Sequence, residues 1–289
     1  MIAMKRVNEM IEKIEILEIV NTVICYNNHE EIIEYATKLS SLPNSEKVAL
    51  VVVINLLENE KVSQLKTMLK KVDLFIYLVQ PKQNLGYMNG MIEGYRVFNE
   101  KIKPKNIKYI IMSNTDINYP ETDFLKTLLS YQYPENIWVI GPAVYVPTRN
   151  VFYRPRDVKR RTEKEIKKLI RIFNTPFINE LYIRMSDLKG KLLSSSRDNS
   201  RMVYDVHGCY FIIKKELADL MLSTPFGALL YSEEAYVAEM AWKNNKNAYY
   251  DSKLLVEHME HSVTSKLAYK RIARLSAESL SVILRDFYQ

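Results

Sequence analysis

The chain has 289 residues, of which 47% are hydrophobic and 26% charged, a balance that excludes intrinsic disorder, collagen repeats and low-complexity structure. Its length fits one large α/β domain or two smaller domains. Only Cys25 and Cys209 are present, which excludes a disulfide framework and a thiolate-only zinc or iron–sulfur site. No apolar run reaches the ~18 residues of a spanning helix, and four glutamates interrupt the first 20 residues. We therefore expect a cytoplasmic protein.

The net charge of +7 is concentrated in two segments. Residues 158–173 carry seven Lys or Arg and two Glu, and residues 264–289 carry five Lys or Arg and two acids. The rest of the chain is close to neutral. A nucleic-acid partner is not expected, because the basic residues do not cover a whole surface.

Apolar runs alternate with amphipathic segments in the first half of the chain. The predicted strands cover 20–26, 48–54, 74–79, 109–113 and 137–141, and the predicted helices cover 30–41, 62–72 and 87–99. The run VALVVVI is continuous, as expected for a strand that is buried on both faces. Strands that are separated by helices of this length predict a mostly parallel central sheet.

The pattern changes after Gly141. Residues 142–202 contain prolines, a basic helix and the stretch SSSRDNS, which predicts an inserted, mobile region. A strand-like run follows at 203–213, with helices near 214–223 and 233–244 and a strand-like NAYYDSKLLV after them. We expect one main domain over 1–265 and a C-terminal helical tail over 266–289.

Polar side chains follow the predicted strand at 109–113. The segment YIIMSNTDI places Asn114 and Asp116 at its carboxyl end, where ligands bind in open α/β sheets. A carboxylate there can hold a hard divalent cation. The alternative is that Asp116 caps the next helix or turn.

Two further clusters carry titratable groups. In LLYSEEAYVAEMAWKN, Ser232 can cap a helix whose first turn holds Glu233 and Glu234, or one of these carboxylates can act as a general base. In VEHMEHSVTS, His258 and His261 lie three residues apart, which favours a metal or phosphate role over two isolated structural histidines.

The segment NLGYMNG (84–90) is a glycine-containing turn between a strand and a helix. It lacks the dinucleotide fingerprint and the phosphate-binding loop, and the chain also lacks GxSxG and HExxH.

Taken in order, these segments resemble family 2 glycosyltransferases of the GT-A fold, in particular the bacterial polysaccharide and rhamnosyltransferase-like branch. The elements that carry the resemblance span residues 20–265 and are VICYNN, NLGYMNG, SNTDI, VHGCYFIIKKE, YSEEAYVAEMAWKNNKNAYYD and VEHMEHS. SNTDI is similar to the Asp-x-Asp motif with Asn in its first position. The resemblance implies a Rossmann-like central sheet flanked by helices.

The same resemblance implies inverting transfer of a sugar from a nucleoside diphosphate sugar, with a divalent cation, Mn²⁺ or Mg²⁺, at the leaving diphosphate. Glu234 aligns with the catalytic base and Glu233 with the residue before it. Asp116 would ligate the metal, with His258 as a second ligand or phosphate contact. The strand with His207 and Gly208 is implied to lie on the acceptor side. The implied donor-binding residues are Tyr26, Asn27, Asn55, Asn84, Gly86, Asn114 and Asp116.

The chain departs from the family pattern after the second predicted strand. Ile54 stands where the family has an Asp near the nucleotide, and Asn55 or Glu58 are the candidates to replace it. At the base position, Glu234 replaces the family's shorter Asp, so the sequence leaves the choice between Glu233 and Glu234 open.

The basic segments bear on partners and location. From Ile166 onward, Leu169, Ile170 and Phe173 share one face among Lys and Arg, which is typical of an interfacial helix at an anionic membrane. The alternative is an amphipathic helix that packs on its own core or on another subunit, and a homo-oligomer stays open. We expect a saccharide or lipid-linked acceptor at the inner face of the membrane. The rival functions are a nucleotidyltransferase or other nucleotide-sugar enzyme, and a non-catalytic binding subunit.

Overall fold

The computed structural model describes residues 10–153, 159–191, 196–260 and 268–288, with side chains for all of these except 186–191. The helix at 10–15 is α1. The later helices are α2 (His29–Ser40), α3 (Asn59–Leu69), α4 (Met88–Ile102), α5 (Phe124–Ser130), α6 (Glu163–Asn174), α7 (Ile178–Lys191), α8 (Lys215–Leu222), α9 (Glu233–Lys243) and α10 (Tyr269–Phe287).

The strands of the described residues form one ten-stranded sheet. They are β1 (Ile19–Tyr26), β2 (Val48–Leu56), β3 (Phe75–Val79), β4 (Tyr109–Ser113), β5 (Ile117–Asn118), β6 (Ile137–Val146), β7 (Val151–Tyr153), β8 (Arg201–Val203), β9 (Tyr210–Lys214) and β10 (Asn247–His258). Along the main path the order is β3-β2-β1-β4-β9-β6-β10-β5, with β7 paired to β6 and β8 paired to β10.

Most of the sheet is parallel. β1, β2, β3 and β4 pair in parallel, and β10 pairs in parallel with β6. β9 runs antiparallel between β4 and β6, so both of these neighbours point the same way. This confirms the predicted α/β architecture with a mostly parallel sheet and flanking helices.

A hydrophobic core covers each face of the sheet. The core on one face packs Ile32 of α2, Val62 of α3 and Phe124 of α5 against the strands. The core on the other face packs α4, α8, α9 and α10, with Tyr236 and Leu280 among its buried side chains. The central strands are therefore buried on both sides, which explains the continuous apolar run of β2.

Several predicted boundaries were wrong. β6 does not end at Gly141 but continues to Val146, with Pro142 paired to Asp251 of β10. The run 203–213 is two strands, because the chain leaves β8 at Val203 and β9 begins at Tyr210. Helix α3 begins three residues before the predicted start, at Asn59.

The region predicted as mobile has regular structure in its described parts. β7, α6 and α7 lie within it, and α6 and α7 both contact α10. Part of that region, 154–158 and 192–195, lies outside the described residues, as do His261 and Ser265. Within the described residues, no helix is long and apolar enough to span a bilayer.

Candidate functional site

A pocket with a volume of about 250 Å³ lies at the carboxyl ends of the parallel strands. Its walls come from the ends of β1, β2 and β4, from the turn before α4, from the loop before α9 and from the start of α10. The lining residues are Ile24, Tyr26, Asn28, Glu31, Asn55, Asn84, Gly86, Tyr87, Ser113, Asn114, Thr115, Asp116, Leu229, Leu230 and Arg271. This edge is where open α/β sheets bind ligands.

Backbone pairing brings Asp116 and His258 together. Asp116 directly precedes β5, which pairs with the end of β10 so that His258 lies opposite Ile117. The Met259 amide donates to the Asp116 carbonyl oxygen over 2.9 Å. His258 Nε2 consequently lies 3.3 Å from Asp116 Oδ1, and both side chains are at least nine-tenths buried. The alternative that Asp116 caps a helix was wrong, because α5 begins after Asp123.

Asn114 joins this pair. Its Nδ2 lies 3.3 Å from His258 Nε2, and its Oδ1 accepts a 2.8 Å hydrogen bond from the Tyr87 hydroxyl. The second ring nitrogen of His258, Nδ1, is buried and has no hydrogen-bond partner among the described residues.

The residues at this point fit a divalent cation with an incomplete protein ligand set. Asp116 supplies a carboxylate, and Nε2 is the ring nitrogen of His258 that faces it, 3.3 Å from Oδ1. Among the described residues, no three His, Cys, Asp or Glu side chains form a metal-binding group. A cation held here would take its remaining ligands from a bound molecule, as Mg²⁺ does with substrate phosphates.

Tyr87 links the pocket to the loop before β9. Its hydroxyl lies 3.3 Å from the Gly208 carbonyl oxygen as well as bonding Asn114. Burial raises the pKa of Tyr87 well above its usual 10, and the negative charges of nearby groups, Glu233 and Asp116 among them, add to the increase. Tyr87 therefore stays a neutral donor at physiological pH. Sequence reasoning included it in NLGYMNG but did not select it as a site residue.

Gly208 packs against the first turn of α9. A Cβ on Gly208 would lie 3.2 Å from Glu234 Oε2, so the carboxylate packs against the glycine backbone. Glu233 and Glu234 are both buried, at 8% and 9% exposure. Neither is among the residues that line the pocket, although Leu229 and Leu230 just before α9 are.

The first turn of α9 is not capped by Ser232. That serine has a left-handed φ of 60° and makes no side-chain cap hydrogen bond, while Tyr231 before it has a φ of 72°. Instead the Tyr231 amide donates to Glu233 Oε1 over 2.8 Å. Two successive non-glycine residues in this conformation store backbone strain, a feature that is common at functional sites.

His207 lies beside the Asp116–His258 pair. Its ring stacks on Tyr153 of β7 with centroids 4.2 Å apart, and lies 6.0 Å from the His258 ring. The Tyr153 hydroxyl donates to Glu260, which also pairs with Arg149 over 2.9 Å. His207 and Gly208 thus flank the pocket without lining it.

Asn55 lines the pocket, but its side-chain amide is hydrogen-bonded to the turn before α4. Its Nδ2 donates to the Gly86 carbonyl oxygen over 2.7 Å, and its Oδ1 lies 3.5 Å from the Leu85 amide. Gly90 leaves room for it, because a Cβ there would lie 3.1 Å from Asn55 Nδ2. Asn55 therefore lines the pocket and also holds the turn before α4, and its role as the replacement for the missing Asp stays a prediction.

The same turn depends on Gly86. Its φ is +77°, and a Cβ would lie 2.3 Å from the carbonyl oxygen of Leu229. That oxygen accepts a hydrogen bond from the Tyr87 amide over 3.2 Å. The Asn84 side chain closes the turn by accepting from the Gly86 amide over 2.9 Å. Only glycine fits this position.

The β1 end of the pocket holds a hydrogen-bonded triad that sequence reasoning missed. Asn28 Nδ2 donates to Thr115 Oγ1 and to Glu31 Oε2, and Thr115 donates to the same Glu31 oxygen over 2.8 Å. Tyr26 lines the pocket beside this triad. Asn27 is exposed with a φ of 60° and does not line it, so Asn28 takes the place predicted for Asn27.

A buried polar network lies beneath the pocket floor. The Tyr35 hydroxyl bonds Asn21 Oδ1, Ser113 Oγ and the Tyr119 hydroxyl at 2.7–2.8 Å. Burial raises the pKa of Tyr35 to about 12 despite these bonds. A fully bonded network in a low-dielectric interior holds its members in one arrangement, and Ser113 is the member that reaches the pocket.

Comparison with known proteins identifies the fold. No protein-family model matches the sequence, and no curated protein is similar to it. The structure is similar to a mannosyltransferase from Pyrobaculum calidifontis in complex with GDP-Man and Mn²⁺, with a TM-score of 0.54 at 14% identity. It is also similar to GalNAc-T7 with UDP, GalNAc and Mn²⁺, with a TM-score of 0.50 at 11% identity. The chain has the GT-A fold.

The two likenesses cover 89% and 93% of this chain. They cover 60% of the mannosyltransferase chain and 48% of the GalNAc-T7 chain, so this chain spans about half to three-fifths of those proteins. At such low identity the likeness concerns the GT-A fold alone. The family 2 branch that the sequence motifs resemble stays a prediction.

Proposed function

We propose that this protein is an inverting glycosyltransferase that moves a sugar from a nucleoside diphosphate sugar to a saccharide acceptor. The observation that carries the proposal is the arrangement at the sheet edge. Asp116 lines a pocket at the carboxyl ends of β1, β2 and β4, His258 Nε2 lies 3.3 Å from Asp116 Oδ1, and the buried carboxylate of Glu234 packs against Gly208. Transfer needs a group that holds the diphosphate and a separate base for the acceptor hydroxyl.

Asp116 and His258 would hold Mn²⁺ or Mg²⁺, which neutralises charge on the leaving diphosphate when bound. The Tyr87 hydroxyl, kept neutral by burial, holds the Asn114 amide next to this pair. Tyr26 and Asn84 would bind the donor directly, and Asn55 and Gly86 fix the turn that shapes its pocket.

Glu234 would accept the proton from the acceptor hydroxyl as that hydroxyl attacks the anomeric carbon. Its carboxylate packs against Gly208, and the neighbouring His207 ring lies 6.0 Å from the His258 ring. Glu233 bonds the Tyr231 amide and is assigned to positioning the first turn of α9. His207 and Gly208 lie between these groups, which suits a role on the acceptor side.

The acceptor proposal rests on the sequence motifs, which resemble enzymes of bacterial surface polysaccharide synthesis. A lipid-linked saccharide at the inner face of the cell membrane is the acceptor that this resemblance favours. The rival nucleotidyltransferase would release pyrophosphate from a nucleoside triphosphate and a sugar phosphate, which a coupled phosphate assay detects. A non-catalytic subunit would bind sugar nucleotides without hydrolysing or transferring them.

The first test is Asp116→Asn. In a thermal-shift or calorimetric titration with UDP- and GDP-sugars, we expect Mn²⁺-dependent binding to the wild type and its loss in Asp116→Asn. A saturating ligand at 100 times its dissociation constant stabilises the native state by ~2.7 kcal/mol, so the difference is measurable.

Asp123→Asn is the matched control, because Asp123 is exposed, precedes α5 and makes no side-chain cap hydrogen bond. This control should bind like the wild type. If Asp116→Asn keeps its nucleotide affinity in Mn²⁺, the metal assignment is wrong.

A further inference from the structure

Helix α7 carries an exposed apolar face. Five large apolar side chains lie on it or directly before it, within nine residues, and all are between 38% and 88% exposed: Phe177, Ile178, Leu181, Tyr182 and Met185. Their spacing of three and four residues places them on one side of the helix. Contiguous exposed apolar surface of this kind marks an interaction site in a folded protein.

Phe177 adds a second observation. Its ring is 88% exposed, and its backbone adopts a left-handed φ of 66°. A bulky residue in this conformation is strained, and an aromatic ring in water forgoes the stabilisation of burial. The Asn179 side chain donates to the Phe173 carbonyl oxygen over 3.1 Å, which holds the connection between α6 and α7. The chain thus keeps an aromatic side chain exposed at a defined place.

Exposed cations lie on the helix that packs next to α7. Between residues 159 and 185 the chain has eight Lys or Arg and three Glu. Helix α6, which contacts α7, exposes Lys164, Lys167, Lys168 and Arg171. The apolar face of α6 itself packs on the protein core through Ile166, Leu169, Ile170 and Phe173. The apolar face of α6, which the sequence predicted as an interfacial helix, therefore packs against the protein core. The exposed apolar face belongs to the neighbouring helix α7.

We infer that the α7 face docks onto an anionic phospholipid bilayer. Apolar side chains match the acyl boundary, and cations on α6 match anionic headgroups. A second copy of this chain is disfavoured as occupant, because a twofold interface would bring the basic α6 surfaces together. Nucleic acid is disfavoured because a phosphate backbone offers no apolar partner for Phe177 and Leu181.

The docking face is continuous with the proposed site. Helix α7 contacts α10, and the Arg184 guanidinium lies 5.4 Å from the Tyr269 ring at the start of α10. Arg271, two residues further, lines the site pocket. The bilayer would therefore lie next to the mouth of the pocket, where a lipid-linked acceptor reaches it. The docking itself does not depend on the proposed reaction.

Vesicle flotation tests the inference without any sugar nucleotide, so its outcome is separate from that of the proposed function. We expect the wild type to bind vesicles that contain equal parts of phosphatidylcholine and phosphatidylglycerol. Its affinity for vesicles of phosphatidylcholine alone should be lower by at least about tenfold. The double variant Phe177→Ser/Leu181→Ser should lose about tenfold or more of its vesicle affinity, because it removes apolar area. Both side chains are at least 60% exposed, so the variant should fold normally.

Met68→Ser/Leu220→Ser is the matched control, since these side chains are exposed at 41% and 37% on α3 and α8. It should bind vesicles like the wild type. A further variant, Lys164→Gln/Lys168→Gln, should reduce the preference for phosphatidylglycerol. Circular dichroism and light scattering on every variant report fold and oligomeric state.

Absence of wild-type binding to both vesicles would overturn the inference. Equal binding by Phe177→Ser/Leu181→Ser and the wild type would do the same. A wild-type oligomer that this double variant dissociates would identify the face as a contact between copies instead.

Discussion

Helix α9 carries buried carboxylates of two kinds. In its first turn, Glu233 and Glu234 lie beside a strained backbone and the Gly208 loop. In its middle, Glu239 is 1% exposed and accepts bonds from both Nε and Nη2 of Arg160 at 2.8–3.1 Å. Glu239 also accepts from the hydroxyls of Tyr204 and Tyr288.

Glu239 differs from the two glutamates of the first turn in the role of its hydrogen-bond partners. The Arg160–Glu239 pair ties the segment before α6 and the end of the chain to α9, and Arg160 also donates to the Phe287 carbonyl oxygen. Burial and the Glu239 charge raise the pKa of Tyr204 far above its usual value, so it remains a donor. Burial of a carboxylate therefore does not by itself identify a functional acid; its neighbours decide.

Glu234→Gln should show the largest effect. The amide keeps the shape of the side chain but cannot accept a proton, so transfer should fall by about 10²–10⁴-fold, or roughly 3 to 5 kcal/mol. Donor affinity should stay nearly constant, because the lost interaction belongs to the transition state. Steady-state kinetics with titrated donor and acceptor measure both quantities.

Glu233→Gln is the neighbouring control. Its rate of transfer should fall less than that of Glu234→Gln, since the Glu233 carboxylate bonds the Tyr231 amide. An inactive Glu233→Gln beside an active Glu234→Gln would exchange the two assignments. If both variants stay active, the general base does not lie on α9.

Glu239→Gln should act on stability instead. It leaves the half-buried Arg160 guanidinium without its counter-charge, which should lower the free energy of unfolding by about 2 to 4 kcal/mol. Urea denaturation measures this change. Residual folded enzyme should keep its rate constant for transfer, and a stable variant with lost transfer would place Glu239 in the site.

Glu18, like Glu239, is an ion-paired carboxylate, but its side chain is more exposed, at 15% against 1%. Burial alone would raise the pKa of Glu18, but its bonds to Lys108 and Lys47 outweigh burial and lower the pKa below its usual 4.5. The folded state therefore binds the proton less tightly than the unfolded state, and this contribution is present above the unfolded pKa and lost as pH falls through the folded pKa.

Glu18→Gln should accordingly lower stability by about 0.5–1 kcal/mol at neutral pH. The difference from the wild type should shrink as the pH falls through the lowered folded-state pKa of Glu18, and vanish where the carboxyl group is protonated in both states. Thermal unfolding across this pH range measures it, and a pH-independent difference would mean that packing and not charge is responsible.

Most of the parallel half of the sheet was predictable from sequence. The run at 109–113 coincides with β4, and the apolar runs of β1, β2 and β3 were found within two residues at each end. The side chains of β1, β2 and β4 are buried on both faces of the sheet, so a continuous apolar run in the sequence is enough to predict these strands. β5 and β7 were missed because two- and three-residue strands carry no periodicity and form only through pairing with β10 and β6.

The site was predictable as residue types at strand ends, but not as contacts. Asp116 and His258 are 142 positions apart, and only the pairing of β5 with β10 brings them to 3.3 Å. The bond from Asn55 to the Gly86 carbonyl oxygen was invisible for the same reason. Arg271 reaches the pocket because α10 packs on α6, α7 and α9, and local sequence contains no signal for that packing.

The carbonyl oxygen of Leu229 ties the loop before α9 to the turn at Gly86 and Tyr87. The number of residues between that turn contact and the start of α9 is therefore constrained. The Leu229 oxygen bonds the Tyr87 amide and fills the space that a side chain on Gly86 would need. Only three residues separate Leu229 from Glu233 at the start of α9. An insertion there would displace either the turn or the helix start. Related proteins that share this site should therefore keep the length of the segment 229–233 constant.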